Sequence, residues 1–320
     1  MPSQQKINYS LRPAKNVVRK LLAECFLHLQ DEFEIASYRY IGMGSLWFSD
    51  HTLFHRVLRI SDMVSIEGDP ETAKRTEFNR PFGCIRVEEG ESTGVLPDVV
   101  PRDQRALVWL DYTSGLEGPI FQDLPIVFDR VASGSIVLVT INAHHKQLVR
   151  PPNENGNRPP PNEVLGGLID RAPQQISAVS TSRTGFPRYI AGVIFERMEH
   201  HVRLASGGAL QFCPLINFFY EDGAPMITMG GMVADPTDAA RLEETAIREN
   251  VEYVTERDQI DVLVPILTPK EKISLDRLLP SEAAPTRQEV EALGFSLHPD
   301  EIKGFHRYYR FYPVFTEMVG

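Results

Sequence analysis

Cysteine is scarce in this sequence, and none of it is arranged for cross-linking or for zinc. The three cysteines, Cys25, Cys84 and Cys213, are far apart, with no CxxC pair and no histidine at a zinc-site spacing. A disulfide framework and a structural zinc site both need such spacings. The pattern therefore predicts reduced, buried thiols in a cytoplasmic protein and no bound metal.

Positive charge is also in short supply. Acidic residues outnumber basic ones by 43 to 33, which gives a formal net charge of −10. Sequence-independent binding to DNA or RNA draws most of its affinity from a basic surface, so we do not expect it here. A local basic patch is still compatible with the sequence, because several cations fall near the N-terminus: Lys6, Arg12, Lys15, Arg19 and Lys20.

Long apolar runs are missing as well. The opening MPSQQKINYS lacks the apolar centre of a signal peptide, and no run is long enough to span a bilayer. The balance of 42% hydrophobic and 24% charged residues over 320 positions is that of an ordinary globular protein with ample core. We expect a cytoplasmic protein with no membrane partner.

The sequence does contain a βαβ pattern near its start. An aromatic and β-branched run at Tyr38–Ile41 predicts a strand, and GMGS at 42–45 predicts a glycine turn. The following residues have the apolar spacing of an amphipathic helix, which Ser49 or Asp50 can cap. Glycines let the backbone pass close to a ligand, and a helix N-terminus offers free N–H groups.

The second strand of this unit, Met63–Ile66, stops at a cluster of acidic residues. An acid placed here, such as Glu67, can accept hydrogen bonds from both hydroxyls of a ribose. Strand, glycine turn, helix, strand and acid together are the layout of a nucleotide-binding unit. The pattern therefore predicts a nucleotide-type cofactor at this turn.

Further apolar runs alternate with helical patterns along the chain. Ala106–Leu110 is apolar throughout, and Cys84–Val87 and Ser135–Ile141 are mostly apolar, which is typical of parallel strands covered on both faces. Two later runs, 210–220 and 225–233, flank an Asp-Gly signal and predict an antiparallel hairpin at the sheet edge. The expected fold class is α/β: a Rossmann-like, doubly wound mixed sheet with a late antiparallel hairpin.

The remaining segments suggest how the chain is divided. Residues 1–235 are expected to form the α/β domain, with a lid-like, proline-rich loop at about 146–163. Residues 236–320 are expected to form a small helical C-terminal extension whose last helix packs an aromatic face on the core. Thr268 stands before a proline and predicts a helix cap. This extension is the candidate surface for a homo-oligomer or a protein partner.

This order of elements resembles the class I S-adenosylmethionine-dependent methyltransferases, whose seven-stranded sheet has its last strand inserted antiparallel. The resemblance covers roughly residues 38–233. More narrowly, several motifs look like a bacterial group labelled putative O-methyltransferases: SLRPAK, YIGMGSLWFSDH, SIEGDP, FNRPF, LDYTSG and HRYYRFYPVF. The resemblance implies S-adenosylmethionine as cofactor and a methyl acceptor that the sequence leaves unidentified.

The resemblance also implies which residues form the site. The glycine loop and the acid after the second strand match the parts that hold the methionine and ribose of the cofactor, and the third strand ends where adenine is usually contacted. The implied cofactor-binding residues are Gly42, Gly44, Ser45, Glu67, Glu89 and Gly90, and Asp69 and Arg12 are further candidates for the same site. Asp111 and Tyr112 fall where the family places acceptor-facing groups. They are the catalytic candidates, Asp111 as base or orienter and Tyr112 as wall or hydrogen-bond donor.

Other conspicuous residues have a simpler interpretation. Arg12 and Lys15 stand at the start of a helix, where charges are usually solvated, although a cation there can reach the cofactor carboxylate. The pairs His144–His145 and His200–His201 suggest metal ligands, but adjacent residues do not share a helix face. We interpret both pairs as surface residues.

Three functions stay open on this evidence. The first is methyl transfer from S-adenosylmethionine to oxygen or nitrogen of an unidentified acceptor. The second is a non-catalytic ligand-binding or scaffold component of a larger assembly, since the glycine loop has Tyr40-Ile41 where an acid is usual and Leu46 where a third glycine is usual. The third is an NAD(P)-dependent oxidoreductase, which fits the hairpin poorly. The absence of a [DNS]-P-P-[YFW] motif argues against methylation of DNA bases.

Overall fold

A computed structural model describes residues 12–44, 46–152, 156–169 and 172–314. In these ranges the strands are β1 (Arg39–Met43), β2 (Asp62–Glu67), β3 (Ile85–Glu89), β4 (Ala106–Asp111), β5 (Ile136–Asn142), β6 (Gln211–Glu221), β7 (Pro225–Ala234) and β8 (Ile260–Val262). The helices are α1 (Pro13–His28), α2 (Gln30–Phe33), α3 (Ser49–Leu58), α4 (Pro70–Phe78), α5 (Ser92–Val99), α6 (Ile120–Phe128), α7 (Pro161–Gly166), α8 (Phe186–Ala205), α9 (Pro236–Glu244), α10 (Ile247–Asn250), α11 (Pro269–Asp276), α12 (Arg287–Ala292) and α13 (Pro299–Tyr308). None of these helices has the length and apolarity that crossing a bilayer requires.

The strands of the described chain form one mixed sheet of eight strands in the order β3-β2-β1-β4-β5-β7-β6-β8. Strands β1 to β5 run parallel to one another, and β7 is inserted antiparallel between β5 and β6. This arrangement confirms the predicted Rossmann-like mixed sheet with a late antiparallel hairpin. The turn of the hairpin contains Gly223 at φ 89°, a backbone angle that glycine adopts without strain.

Both faces of the sheet are buried, as the continuous apolar runs predict. Successive residues of each inner strand point to opposite faces, so Tyr40 and Trp109 enter one core while Ile41 and Val108 enter the other. The first core is covered by α1 and α3, and the second by α5, α6 and α8. The first core therefore lies inside the βαβ unit, between α3 and the strands β1 and β2.

Several predicted elements differ in the structure. The hairpin is not at the very edge of the sheet, because β8 pairs with β6 outside it. Helix α5 was not predicted from the sequence, and it contains Pro97 within its length. The helical extension expected after residue 235 begins with two separate helices, α9 and α10, and Ala246 between them adopts a left-handed φ of 48°. Helix α7 begins inside the segment predicted as an irregular loop.

The C-terminal helices build a small core of their own. Its buried members come from α11, α12, α13 and the residues just after α13: Leu275, Val290, Ile302, Phe305 and Tyr312. Tyr308 instead joins the first core of the sheet, so the aromatic face of α13 is divided between the two. Thr268 accepts a hydrogen bond from the Glu271 N–H at 3.3 Å and starts α11, as predicted. The domain boundary near residue 235 stays a prediction.

Candidate functional site

The order of strands reverses at β1, which pairs with β2 on one side and with β4 on the other. In open α/β sheets, ligands bind in the crevice outside the carboxyl ends of the strands at such a reversal. Those ends bring three residues predicted from the sequence to one edge: Gly44 after β1, Glu67 at the end of β2 and Asp111 at the end of β4. This edge is the candidate active site.

Gly42 and Gly44 are glycines because of the space around them. A Cβ on Gly42 would lie 2.5 Å from the hydroxyl of Tyr40. A Cβ on Gly44 would lie 2.6 Å from Oε2 of Glu67 and 2.6 Å from the carbonyl oxygen of Ile66. Gly44 therefore lets the main chain pass directly against the carboxylate of Glu67. Ser45, the third predicted member of the turn, lies outside the described residues.

The turn leads into α3 without the predicted side-chain cap. Phe48 holds the N-cap position in a left-handed conformation with φ 45°, and its side chain makes no capping bond. Ser49 and Asp50 both lie inside the helix, so the expectation that one of them caps it was wrong. Asp50 is buried and accepts a hydrogen bond from Nε of Arg19 at 2.9 Å. Asp50 therefore forms a buried ion pair with Arg19 and does not cap the helix.

Glu67 is a buried carboxylate whose hydrogen bonds are long. Its residue is 3% exposed. Oε1 accepts from the N–H of Asp69 at 3.3 Å, and Oε2 accepts from the hydroxyl of Thr76 at 3.4 Å. Both distances exceed the usual range for strong hydrogen bonds, and no cation pairs with Glu67 in the part of the chain that the structure describes. Burial raises the pKa of this carboxyl.

The other residues predicted on the cofactor side surround Glu67. Asp69 caps α4, where it accepts from the N–H of Glu71 at 3.3 Å. Glu89 is exposed and is paired in register with Glu67. Gly90 adopts φ 146°, and its N–H donates to the carbonyl of Glu67 at 2.9 Å.

A groove of about 500 Å³ opens between the end of β3 and α5. Its lining includes Glu89, Gly90 and Val95. It continues the edge on which Glu67 lies, because β3 pairs with β2. The structure thus brings the predicted turn, the predicted acid and the predicted third-strand residues together.

Asp111 forms an ion pair that the sequence did not predict. Nζ of Lys15 lies 2.7 Å from Oδ1 of Asp111 and donates to the hydroxyl of Tyr220 at 3.1 Å. The side chain of Lys15 is 7% exposed, whereas that of Asp111 is 24% exposed. Burial alone would lower the pKa of Lys15, but its interactions with Asp111 and Tyr220 together more than offset this, and the pKa is raised. The interpretation of Lys15 as a solvated charge was therefore wrong.

A buried polar network supports this pair. The hydroxyl of Tyr220 accepts from Thr228 at 3.4 Å, and Thr228 shares a hydrogen bond of 2.7 Å with Thr140. Thr140 also accepts from the indole N–H of Trp109 at 2.9 Å. Nζ of Lys15 lies 4.6 Å from the centre of the Trp109 ring, within cation–π range. The carboxylate of Asp111 is the part of this network that reaches water.

Tyr112 points away from the edge. Its hydroxyl donates to Oδ2 of Asp123 at 2.5 Å, and Ser92 donates to the same oxygen at 2.5 Å. Burial raises the pKa of Tyr112 well above its usual value. These contacts join the segment after β4 to α5 and α6. A catalytic role for Tyr112 stays a prediction.

The start of α1 is fixed by the turn of the hairpin. Oδ1 and Oδ2 of Asp222 accept from the N–H groups of Ala14 and Lys15 at 3.2 and 2.7 Å. Arg12 is half-buried at the N-cap position, close enough for its charge to act on Asp222. Binding of Arg12 to the cofactor stays a prediction.

The segments after β4 and β5 are joined by one side chain. Gln147 accepts from the N–H of Leu116 at 2.8 Å and donates to the carbonyl of Asn142 at 2.6 Å. A Cβ on Gly115 would lie 1.7 Å from Oε1 of Gln147, so only glycine fits there. The segment predicted as a lid therefore begins with a residue held against the loop that follows Asp111.

The two histidine pairs lie at different places in the fold, the first of them after the carboxyl end of β5, at the same edge of the sheet as Asp111. His144 and His145 follow β5 with their rings stacked 4.8 Å apart, and His200 and His201 lie on α8. Charges on His144, Lys146 and Arg183 add to the effect of desolvation and lower the pKa of His145. Within the described ranges, no three potential metal ligands are grouped.

Lys15 and Tyr220 are the site residues that sequence reasoning missed. A weak signal for Lys15 was present, because residues 15, 19, 22 and 26 have the spacing of one helix face, and Leu22 and Phe26 are apolar. No comparable signal marked Tyr220, which is one more apolar residue in a strand.

The fold and the site define a class of protein before any comparison is made. The reversal at β1, the inserted antiparallel β7 and the buried acid at the end of β2 are the features of a Rossmann-like methyltransferase. A family model described as "Putative O-methyltransferase" matches residues 7–320. The chain belongs to this family and is an S-adenosylmethionine-dependent methyltransferase with S-adenosylmethionine as its cofactor. No curated protein matches it.

Solved structures that match the chain are distant in sequence. Trm1 from Pyrococcus horikoshii with S-adenosyl-L-methionine is 10% identical, with a TM-score of 0.43, over 69% of this chain and 58% of that one. A predicted O-methyltransferase, protein Atu636 from Agrobacterium tumefaciens, is 10% identical, with a TM-score of 0.35, over 64% and 81%. Cofactor-bound Rv0187 from MTB is 16% identical, with a TM-score of 0.36, over 65% and 78%.

Proposed function

We propose that this enzyme transfers a methyl group to an oxygen atom of its acceptor, with the cofactor held at the ends of β1, β2 and β3 and the acceptor placed at the end of β4. The observation that carries the proposal is the carboxylate of Glu67 beside Gly44, which is buried and has no cation paired with it among the described residues. The family description supports oxygen as the acceptor atom.

The residues at this edge fit the cofactor. A buried carboxylate is costly unless donors reach it, and the two hydroxyls of a ribose would add donors to the two long hydrogen bonds, from Asp69 and Thr76, that Glu67 accepts. Gly44 leaves open the space beside Oε2 that a Cβ would fill. Glu89 and Gly90, at the next strand end, would lie toward the adenine. Ser45, Asp69 and Arg12 complete the proposed binding set.

S-adenosylmethionine supplies a methyl group that is already activated on a sulfonium. The protein must therefore mainly align the acceptor and, for a hydroxyl, receive its proton. Asp111 is suited to both tasks, because its carboxylate is partly exposed while Lys15, which also donates to Tyr220, holds it from behind. Tyr112 would act as a wall beneath it.

Three wider assignments are part of the same proposal. Residues 1–235 would form the catalytic domain and 236–320 an extension, through which a second copy or a protein partner would bind. The segment 146–163 would close over the acceptor. The reaction would take place in the cytoplasm, as the scarce, unpaired cysteines suggest, and the source would be a bacterium, as the resemblance to a bacterial group implies.

Titration calorimetry with S-adenosylmethionine, S-adenosylhomocysteine and NAD tests the cofactor. Binding of the first two, with NAD weaker, is expected. If neither binds at millimolar concentration, the proposal is wrong, and tighter binding of NAD would favour an oxidoreductase.

Transfer of a radiolabelled methyl group to fractions of a cell extract tests the reaction. Labelled product that loses its methyl group under ester or ether cleavage would identify oxygen as the acceptor atom. Cofactor binding without transfer to any fraction would support the non-catalytic alternative.

A further inference from the structure

Helix α1 places two buried cations one turn apart, and each pairs with an acid from a different side of the candidate site. Lys15 pairs with Asp111 at the end of β4. Arg19 pairs with Asp50 in the first turn of α3, directly after the glycine turn. The Lys15 pair belongs to the acceptor side already described, whereas the Arg19 pair has no assigned role.

The Arg19–Asp50 pair is almost fully removed from water. Nε of Arg19 lies 2.9 Å from Oδ1 of Asp50, and the two side chains are 6% and 8% exposed. Burial alone would raise the pKa of Asp50, but the charges of Arg19, His51 and Lys15 and the hydrogen bond from Arg19 together more than offset this, and the pKa is lowered. The carboxylate is therefore a fixed negative charge beneath the turn.

The same carboxylate reaches the other end of the turn. Oδ2 of Asp50 accepts from the hydroxyl of Tyr40 at 3.2 Å. That hydroxyl lies against Gly42, where a Cβ would be only 2.5 Å away. Asp50 therefore links the two ends of the glycine turn. It contacts Tyr40, whose hydroxyl lies against Gly42 at the start of the turn, and it belongs to α3, which follows the turn.

We propose that Arg19 is a positioning residue for the cofactor: through Asp50 and Tyr40 it fixes both ends of the glycine turn and so sets the affinity for S-adenosylmethionine without touching it. The inference rests on the proposed place of the cofactor at this turn. On this inference, α1, which precedes the βαβ unit, contributes to cofactor binding through Arg19.

Two variants and two matched controls test this by calorimetry with S-adenosylhomocysteine, with urea unfolding measured on each. Arg19→Met removes the cation, and Tyr40→Phe removes one hydroxyl while keeping the ring that packs on Phe54. Each should weaken binding at least about fivefold, the effect of one lost hydrogen bond. Tyr40→Phe carries the test if Arg19→Met does not fold.

The controls remove the same kinds of group, a buried tyrosine hydroxyl and a paired arginine, near the amino ends of β1 and β4. Tyr38→Phe removes a buried hydroxyl that donates to the carbonyl of Gly134 at 2.7 Å. Arg105→Met breaks an ion pair with Asp238, whose oxygens lie 2.8 and 2.9 Å from the guanidinium. Both should lose stability, yet bind S-adenosylhomocysteine within about twofold of the wild type.

The outcomes separate the possibilities. Wild-type affinity in Arg19→Met and Tyr40→Phe would overturn the inference, and so would a loss of affinity that follows loss of stability equally across all four variants. Partial recovery in Arg19→Lys, which keeps a charge but not the planar fork, would support it. If the wild type binds neither cofactor form, the proposed site itself fails, and the inference with it.

Discussion

Replacing Glu67 by glutamine should move cofactor affinity and protein stability in opposite directions. The change keeps the shape of the side chain and removes its charge. In the absence of cofactor, the carboxylate is buried, has no ion-pair partner among the described residues, and accepts two hydrogen bonds of 3.3 and 3.4 Å. A neutral amide avoids the cost of burying that charge. We therefore expect a higher free energy of unfolding for Glu67→Gln at pH 7.

The cofactor-bound state should respond in the other direction. A hydrogen bond to a charged acceptor contributes about 1.5–3 kcal/mol. Loss of one such bond from a ribose hydroxyl would raise the dissociation constant about 10- to 150-fold. Calorimetry with S-adenosylhomocysteine measures this loss, and urea unfolding without ligand measures the gain. Asp62→Asn, at the opposite end of the same strand, is the matched control and should leave affinity unchanged.

The dependence on pH checks the cause of the stability change. Because the pKa of Glu67 is higher in the folded protein than the ordinary value of 4.5, the folded state holds its proton more strongly. The stability contributed by the protonated group is fully present below pH 4.5 and is lost as the pH rises through the folded pKa. The advantage of Glu67→Gln should therefore develop as the pH rises through this window and be complete above it.

Two results would refute this reasoning. If Glu67→Gln binds S-adenosylhomocysteine as tightly as the wild type, Glu67 does not hold the ribose. If the variant is instead less stable at neutral pH, the carboxylate has a structural partner that its contacts do not show, and its value as a marker of the site is lost.

Three further changes test other parts of the molecule. Gly44→Ala should cost about 1–3 kcal/mol of stability through overpacking and weaken S-adenosylhomocysteine binding, because the added methyl meets the carboxylate of Glu67; calorimetry and urea unfolding measure both. Lys15→Met should lower the free energy of unfolding by about 3 kcal/mol. This is the low end for a broken buried ion pair, because Asp111 is 24% exposed. Lys15→Met combined with Asp111→Leu should recover most of that loss, as measured by urea unfolding. Thr268→Ala should lower the free energy of unfolding by about 1 kcal/mol, because the cap of α11 is lost, without changing cofactor affinity. An unchanged unfolding midpoint would show that this cap does not stabilise the protein.

The sheet could be predicted from the sequence because its signals are local. A parallel strand buried on both faces is largely apolar along its length, and the five parallel strands and the two strands of the hairpin were found near their observed positions. Strand β8 has only three residues and forms because the outer side of β6 offers unpaired backbone groups. Helix α5 was missed because it is short and contains a proline, which usually ends a helix.

The candidate site was predictable only where a strand end marked it. Glu67 was found because the acid follows an apolar run, and Asp111 was found in the same way. The ion pair of Lys15 with Asp111 joins residues 96 positions apart, and no local pattern predicts such a contact. Buried cations are uncommon without partners, so the interpretation of Lys15 as a solvated charge followed from treating α1 in isolation.

The departure of the glycine loop from the family pattern has an answer in three dimensions. Tyr40-Ile41 stands where an acid is usual, and this favoured a non-catalytic module. In the structure, the hydroxyl of Tyr40 reaches Oδ2 of Asp50 at 3.2 Å, so an acid does lie beside the start of the turn, contributed by the following helix and neutralised by Arg19. A carboxylate that is missing at one position of a motif is therefore not missing from the site. If Tyr40→Phe weakens cofactor binding while Tyr38→Phe does not, the departure is a replacement, and the argument for a non-catalytic module loses its main support.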